Sequence, residues 1–179
     1  MTEVVLKTLE VSIPEGFQVN YEDKVLTVRK GKETNSKRLF HPKVNFNIQG
    51  NTIKIESYSL KKKDLATMKT FKAHIENLIQ GLEKGFTYKL KIVYSHFPMK
   101  VMVKKDRLVI ENFLGEKHPR VAKILDGVTV KVHADEVTVT GKNKEKVAQT
   151  AANIEYATRI KRMDPRVFQD GIYIFSKEA

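Results

Sequence analysis

Val44-Asn45-Phe46-Asn47-Ile48-Gln49-Gly50-Asn51-Thr52-Ile53-Lys54-Ile55-Glu56 decides the fold class. Apolar side chains occupy 44, 46 and 48, stop at Gln49-Gly50-Asn51, and resume at Ile53 and Ile55. Successive side chains of a strand point to opposite faces. A period of two interrupted by turn residues therefore predicts a hairpin with one buried face. The pattern returns further along the chain. Val128-Thr129-Val130-Lys131-Val132 alternates, His133-Ala134-Asp135 turns, and Glu136-Val137-Thr138-Val139-Thr140 alternates back.

Working outward, each of these hairpins has another before it and a helix after it. Val11-Ser12-Ile13-Pro14-Glu15-Gly16 opens with a short strand and a turn. Gln18-Val19-Asn20-Tyr21 and Val25-Leu26-Thr27-Val28-Arg29 then flank Glu22-Asp23-Lys24. In the second half, the stretch from Phe97 to Val103 is strand-like, Lys104-Lys105-Asp106 turns, and Arg107-Leu108-Val109-Ile110-Glu111 returns. Leu65, Met68, Phe71, Ile75, Leu78, Ile79 and Leu82 recur at intervals of three and four, one apolar face of a helix, and Gly81 and Gly85 are read as punctuating its end. Asn143 is a candidate N-cap for a second helix carrying Val147, Ala151, Ile154 and Ala157.

Superposing the halves places Ile13-Pro14 on Phe97-Pro98, Gly50-Asn51 on Ala134-Asp135 and Leu65-Ala66 on Val147-Ala148, at an offset that stays between 82 and 84 residues. A period this long indicates a duplicated domain, since solenoid repeats are shorter. The expected class is α+β: two tandem duplicated domains, each an antiparallel sheet with one main helix packed on one face. The expected boundaries are 1–85 for the first domain and 86–179 for the second, which carries a basic C-terminal tail. The strand at Tyr88-Lys89-Leu90-Lys91-Ile92-Val93-Tyr94 is expected to pair back onto the first sheet and lead into the second domain. Halves of this size bury a modest fraction of their surface, so support from each other or from a partner is expected.

Charge narrows the partner. The 179 residues carry 33 Lys and Arg against 21 Asp and Glu, a net +12. The excess is spread along the chain, with 15 cations and 10 carboxylates in residues 1–85 and 18 and 11 in residues 86–179. Both halves therefore face something negative, and nucleic acid is the usual candidate. There are no cysteines, which removes disulfides and thiolate metal sites and fits a reducing compartment. No stretch approaches the ~18 apolar residues of a membrane span, and no signal-type apolar run opens the chain. A soluble, cytoplasmic protein with no membrane partner is expected. His41, His74, His96, His118 and His133 are not spaced as metal ligands. Gly-x-Ser-x-Gly, Gly-Lys-Ser/Thr and Gly-x-Gly-x-x-Gly signatures are all absent. No catalytic residue, cofactor, metal or small-molecule substrate is expected.

Three basic clusters carry the binding expectation. Lys61-Lys62-Lys63 precedes the first helix stripe, where cations oppose the helix dipole; a solvated run and a phosphate contact are equally open there. Lys117 and Arg120, in Asn112-Phe113-Leu114-Gly115-Glu116-Lys117-His118-Pro119-Arg120, are candidate phosphate contacts, while Phe113 and Leu114 are either core or a cap on the domain junction. The strongest cluster is Arg159-Ile160-Lys161-Arg162-Met163-Asp164-Pro165-Arg166, running off the second helix into an irregular tail. Pro165 and a turn at Gly171 are expected to hold that tail in an extended path. Phe168 and Tyr173 interleave with the charge. Arg forks two hydrogen bonds onto phosphate and aromatics stack on exposed bases, so the cluster points to RNA.

Several segments resemble one family in order along nearly the whole chain. They are Asp64-Leu65-Ala66-Thr67, Gly85-Phe86-Thr87-Tyr88-Lys89, Tyr94-Ser95-His96-Phe97-Pro98, Asn112-Phe113-Leu114-Gly115-Glu116-Lys117, Asp126-Gly127-Val128 and Asp170-Gly171-Ile172-Tyr173. They are similar to the universal large-subunit ribosomal protein L-six family, L-nine in eukaryotic naming, in its archaeal and eukaryotic branch. The resemblance implies a duplicated α+β fold, no catalysis, and a structural place in the large ribosomal subunit in the cytoplasm. It implies binding to large-subunit rRNA near the sarcin–ricin loop and the translation-factor-binding region. Neighbouring ribosomal proteins, including the factor-binding stalk base, are implied partners. The rRNA contacts would fall on Arg159, Lys161, Arg162, Arg166 and the Gly171 turn, joined by Phe168, Lys117 and Arg120. Two departures stand out. Bacterial members carry Lys-Gly-Lys-Gly where this chain has Phe168-Gln169-Asp170-Gly171, two cations fewer and one acid more. Eukaryotic relatives often carry a tryptophan pair where this chain has Ser57-Tyr58-Ser59. Two rival readings stand beside the ribosomal one: a free RNA-binding regulator or double-strand RNA binder, and an enzyme supported only by the generic fold.

Overall fold

The structure, a computed structural model, describes residues 5–161, 163–164 and 166–178. The chain divides into two compact units, Met1–Glu83 and Lys84–Ala179.

Among the described residues of the first unit, six strands precede one helix: β1 Lys7–Ser12, β2 Phe17–Glu22, β3 Val25–Lys30, β4 Glu33–Arg38, β5 Val44–Gln49, β6 Thr52–Ser57 and α1 Lys62–Glu83. All pairings are antiparallel and form two three-stranded sheets, ordered β1-β6-β5 and β2-β3-β4. The alternating stretch at residues 44–56 forms the β5–β6 hairpin, with Val44 opposite Ser57 and Gln49 opposite Thr52. The β2–β3 turn lacks the favoured Asn-Gly. Asp23 and Lys24 both adopt positive φ, 50° and 65°, as a two-residue hairpin turn that follows the strand twist requires. The Lys24 carbonyl is bonded by the Leu39 amide at 2.9 Å, and the Lys24 ammonium lies 4.1 Å from the Phe40 ring centre, so the turn is held by long-range contacts. Helix α1 closes the core with Met68, Phe71, Ile75, Leu78, Ile79 and Leu82, all buried against Leu26, Val28, Ile53 and Ile55. Burying each such side chain contributes about 1.5–3 kcal/mol. Gly81 lies inside the helix, buried in its last turn; the stop is Gly85, at φ 77°, a left-handed conformation that glycine adopts without a Cβ penalty.

The second unit repeats the plan and adds to it. Its elements are β7 Phe86–Val93, β8 Lys100–Lys104, β9 Arg107–Glu111, a 3-10 turn at Phe113–Gly115, β10 Arg120–Lys123, β11 Val128–His133, β12 Glu136–Gly141, α2 Lys144–Ala157 and β13 Gly171–Glu178. The sheets are ordered β10-β9-β8 and β11-β12-β7-β13. Laid on the first unit, β8-β9-β10 repeats β2-β3-β4, and β7-β12-β11 repeats β1-β6-β5. The strand expected to pair back onto the first sheet is therefore the opening strand of the second: β7 pairs with β12, Leu90 opposite Val137. Its alternate residues Phe86, Tyr88, Leu90 and Ile92 are buried in the second core, and that burial decides the pairing. Phe113, 1 % exposed, belongs to that same core with Leu114 packed beside it. Strand β8 starts later than the alternation suggested, since Phe97 and Pro98 lie outside it and are exposed.

The addition is β13. Gly171 does not make the expected turn but opens a strand: residues 171–178 run extended along the free side of β7, Ile172 opposite Ile92 and Ile174 opposite Leu90, with a bulge between Ile174 and Ser176. Ile172 is fully buried, and Lys89 binds Glu178 at 2.8 Å to fasten the far end. In the first unit, β1 has no corresponding outer neighbour among the described residues.

Candidate nucleic-acid interface

The strongest basic cluster lies between the end of α2 and the start of β13, and both of its ends are anchored. Asn143 caps the other end of α2: its Oδ1 accepts the amides of Glu145 and Lys146 at 3.0 and 3.2 Å. Val147, Thr150, Ala151 and Ile154 turn inward, and Ala157 packs beside them. The small side chains let α2 lie close to the sheet. Gly141 marks the tightest approach, since a Cβ there would stand 2.8 Å from Val147 Cγ2 and 3.1 Å from the Gly127 carbonyl.

At its C-terminus a helix leaves carbonyls unsatisfied. Here the Thr158 and Arg159 amides take those of Glu155 and Tyr156, and Arg120 takes that of Ala157 and, past the helix end, that of Arg159. Its Nη1 donates to the carbonyls of Ala157 and Arg159 at 3.0 and 3.1 Å. Its other edge forks onto Glu116, Nε to Oε2 at 2.7 Å and Nη2 to Oε1 at 2.6 Å. The guanidinium carbon lies 4.2 Å from the Phe113 ring centre. The Arg120 hydrogen bonds hold the Glu116 carboxyl below its ordinary range. Arg120 thus clamps the loop at 113–119 to the end of α2, its planar fork suited to bidentate pairing and stacking together.

The chain is then pinned to β13. Thr158 Oγ1 accepts the Ile172 amide at 2.9 Å and Glu155 Oε1 accepts the Ile174 amide at 3.4 Å, so two edge amides of β13 are met by the end of α2. Asp170, 2 % exposed, accepts the Ser95 amide at 3.2 Å. The extra acid that distinguishes this tail from Lys-Gly-Lys-Gly is therefore turned inward and presents no negative charge at the surface. Gly171 is buried too; a Cβ there would stand 3.0 Å from the Tyr173 ring, whose hydroxyl donates to the Gln169 carbonyl at 3.1 Å. Burial, then Asp170 and Glu155, push the Tyr173 phenol upward.

Between these anchors Arg159, Lys161 and Arg166 are exposed, Phe168 is half-buried, and Arg162 and Pro165 lie outside the described residues. Arg166 forks onto Asp164, Nη2 to Oδ2 at 2.9 Å, which holds the aspartate low and the guanidinium high. That pair is exposed and worth little in water. Among the described residues, Lys117, Arg159 and Lys161 have no acidic partner within salt-bridge distance. The structure brings Arg120, Arg159 and Lys161 together at one helix end. Arg120 is distinguished from the others because its donors are taken up within the chain.

Lys61, Lys62 and Lys63 are all exposed at the start of α1. Asp64, in the helix's first turn, supplies the negative charge that a helix N-terminus favours. A hydrogen bond from Ser59, with Lys43, His41 and Lys61 nearby, keeps its carboxyl low. The site also contains an aromatic that periodicity passed over. Tyr156 stands 64 % exposed, off the Val147, Ala151, Ile154 stripe and three residues before Arg159. An aromatic on the wrong side of an amphipathic helix, next to the basic cluster, was the available signal. Among the described residues no group of His, Asp and Glu is arranged to hold a metal, and no helix is long and apolar enough to cross a membrane.

Comparison with known proteins agrees with the duplication. The family described as Ribosomal protein L6 matches residues 13–85 and again residues 97–171. The chain is similar over nearly its full length to three archaeal proteins named Large ribosomal subunit protein uL6. It is 50 % identical to that of Methanobrevibacter smithii over 169 residues, 94 % of this chain and 95 % of the relative. It is 46 % identical to that of Methanococcus vannielii over 168 residues, 94 % and 92 % of the two chains. It is 46 % identical to that of Methanosarcina mazei over 177 residues, 99 % of each.

Proposed function

Because this chain belongs to the ribosomal protein L6 family, a structural and non-enzymatic component of the ribosome, we propose that it binds large-subunit rRNA through the end of α2 and the segment leading to β13. The observation that carries this reading is the presentation of Arg159 and Lys161. They stand exposed, with no acidic partner among the described residues, at a helix end that Arg120, Thr158 and Glu155 hold in place. A cationic segment fixed at both ends loses little conformational entropy when it meets phosphate, so more of the contact energy is kept.

In this reading Arg159, Lys161, Arg162 and Arg166 contact phosphates, Lys117 adds a contact from the loop beside them, and Arg166 exchanges Asp164 for phosphate. Arg120 and Gly171 act through the backbone they position, and Phe168 flanks the contact. The target in this reading is large-subunit rRNA near the sarcin–ricin loop and the translation-factor-binding region, beside the stalk base, a reading that the family resemblance supports. Sedimentation at low and high salt tests the assignment: the protein should stay with the large subunit, and recovery in the light fractions alone would sink it. Replacing Arg159, Lys161, Arg162 and Arg166 by Ala should reduce the log–log salt slope of rRNA binding by roughly 3 units. An unchanged slope would make the cluster a solvated helix end.

A further inference from the structure

The geometry points to a nucleotide-binding cleft on the second unit, in which Tyr156 is the stacking platform for one unpaired RNA base. This inference rests on the RNA-binding reading above and deepens it.

The cleft holds about 790 Å³ and lies between the outer face of α2 and the start of β13. Tyr156 and Tyr173 both line it, with Arg159, Glu155 and Asn153. A second hollow of about 420 Å³ shares Tyr156 and is lined by Arg120 and Lys161 as well. Tyr156 therefore lines both hollows, with Arg159 lining the larger and Lys161 the smaller.

Four features select a base. The larger recess is within the range that takes a drug-sized ligand, ample for a single base. Its walls combine aromatic rings with amide and carboxylate groups, which fit a flat ring bearing hydrogen-bond donors and acceptors at its edge. The Glu155 carboxylate repels phosphate from the interior but accepts N–H groups, while Arg159 and Lys161 sit where flanking phosphates would pass. Finally, two side chains of the cleft wall are tied to backbone: Glu155 accepts the Ile174 amide, and the Tyr173 hydroxyl donates to the Gln169 carbonyl. A recess already held open costs little to occupy. A duplex keeps its bases stacked inside, so the occupant is a base from a loop, bulge or strand end.

The test uses the full chain with deproteinised archaeal large-subunit rRNA. Short-wavelength ultraviolet light joins a base to an aromatic ring stacked on it, and mass spectrometry of the digested complex reads the linked peptide. The linked residue should be Tyr156 or Tyr173. Tyr156→Leu should abolish the Tyr156 link and weaken binding roughly tenfold with the salt slope unchanged, because no phosphate contact is lost. Tyr156→Phe should retain both the link and the affinity. Tyr156 is so exposed that neither change threatens folding. Links confined to other segments, or full affinity in Tyr156→Leu while Arg159 and Lys161 variants bind weakly, would overturn the cleft and leave the RNA-binding reading standing. Full rRNA affinity in Tyr156→Leu, with the variant retained less well by large subunits that still carry their proteins, would assign the cleft to a protein neighbour and overturn it likewise. Absence of rRNA binding by the unaltered chain would overturn both.

Discussion

Replacing Arg120 by Ala separates a clamp from a contact. The side chain makes four hydrogen bonds and one ring contact, and each class has its own magnitude. The fork onto Glu116 is partly exposed, 22 % on the Arg side and 41 % on the Glu side, so screening limits it to about 1 kcal/mol. The two carbonyls of Ala157 and Arg159 accept from a charged donor, and losing both caps costs about 1 kcal/mol or more. The Phe113 contact contributes about 0.5–1 kcal/mol. Allowing for overlap among groups in one network, the total is about 2–3 kcal/mol. For a unit of this size that lowers the melting temperature by about 10 °C or more. Hydrogen exchange at the end of α2, read with urea unfolding, is the assay. Glu116→Ala removes only the fork and should cost about 1 kcal/mol. Arg120→Ala should therefore be clearly worse than Glu116→Ala, with exchange accelerated at residues 155–159. Equal losses in the two variants would refute the capping role. The rRNA measurement is independent: a clamp predicts weaker binding with the salt slope unchanged, whereas a slope lowered by about 0.7–0.9 would make Arg120 a direct phosphate contact.

The Glu116 carboxyl is held below its ordinary value of 4.5 by Arg120, so its contribution is present above that value and lost as the pH falls through the lower folded value. The stability gap between the unaltered chain and Glu116→Gln should stay level from pH 7 to about 5, remain under about 1 kcal/mol, and close on further acidification; a gap that widens in acid would reverse the assignment. Gly141→Ala puts a Cβ 2.8 Å from the fully buried Val147, and overpacking there should cost about 1–3 kcal/mol in denaturant unfolding; a neutral result would show that α2 can lift from β12. Asn143→Ala should cost about 1 kcal/mol, and Asn143→Asp should retain most of the cap, both read by thermal unfolding.

Much of this architecture is local and could be read from the chain. The β5–β6 and β11–β12 hairpins show a period of two, and the α1 stripe shows intervals of three and four, because each depends on near neighbours in sequence and one buried face. The repeat is legible for the same reason, since two copies of one pattern keep their spacing. Strand β4 escaped notice because Glu33-Thr34-Asn35-Ser36-Lys37-Arg38 has no apolar alternation; it is a strand by pairing with β3, Val28 opposite Asn35. Strand β10 is only four residues long and shows little periodicity to detect.

For the candidate site, composition identified the cations but could not sort them. Arg120 and Arg159 look alike in sequence. One has its donors met by Glu116 and two carbonyls, and the other faces outward, a difference made by packing between elements some forty residues apart. Asp170 counts in the sequence as one acid more in the tail, and the structure buries it. The length, charge, repeat and hairpin order were determined by the sequence alone, because they are sums or short-range patterns. Which edge each strand joins was decided only in the tertiary structure. Strand β7 opens the second sheet because its alternate residues need the second core, and β13 returns about eighty residues later to cover its free side. Pairing across that distance depends on which apolar faces meet, and short-range periodicity does not encode that.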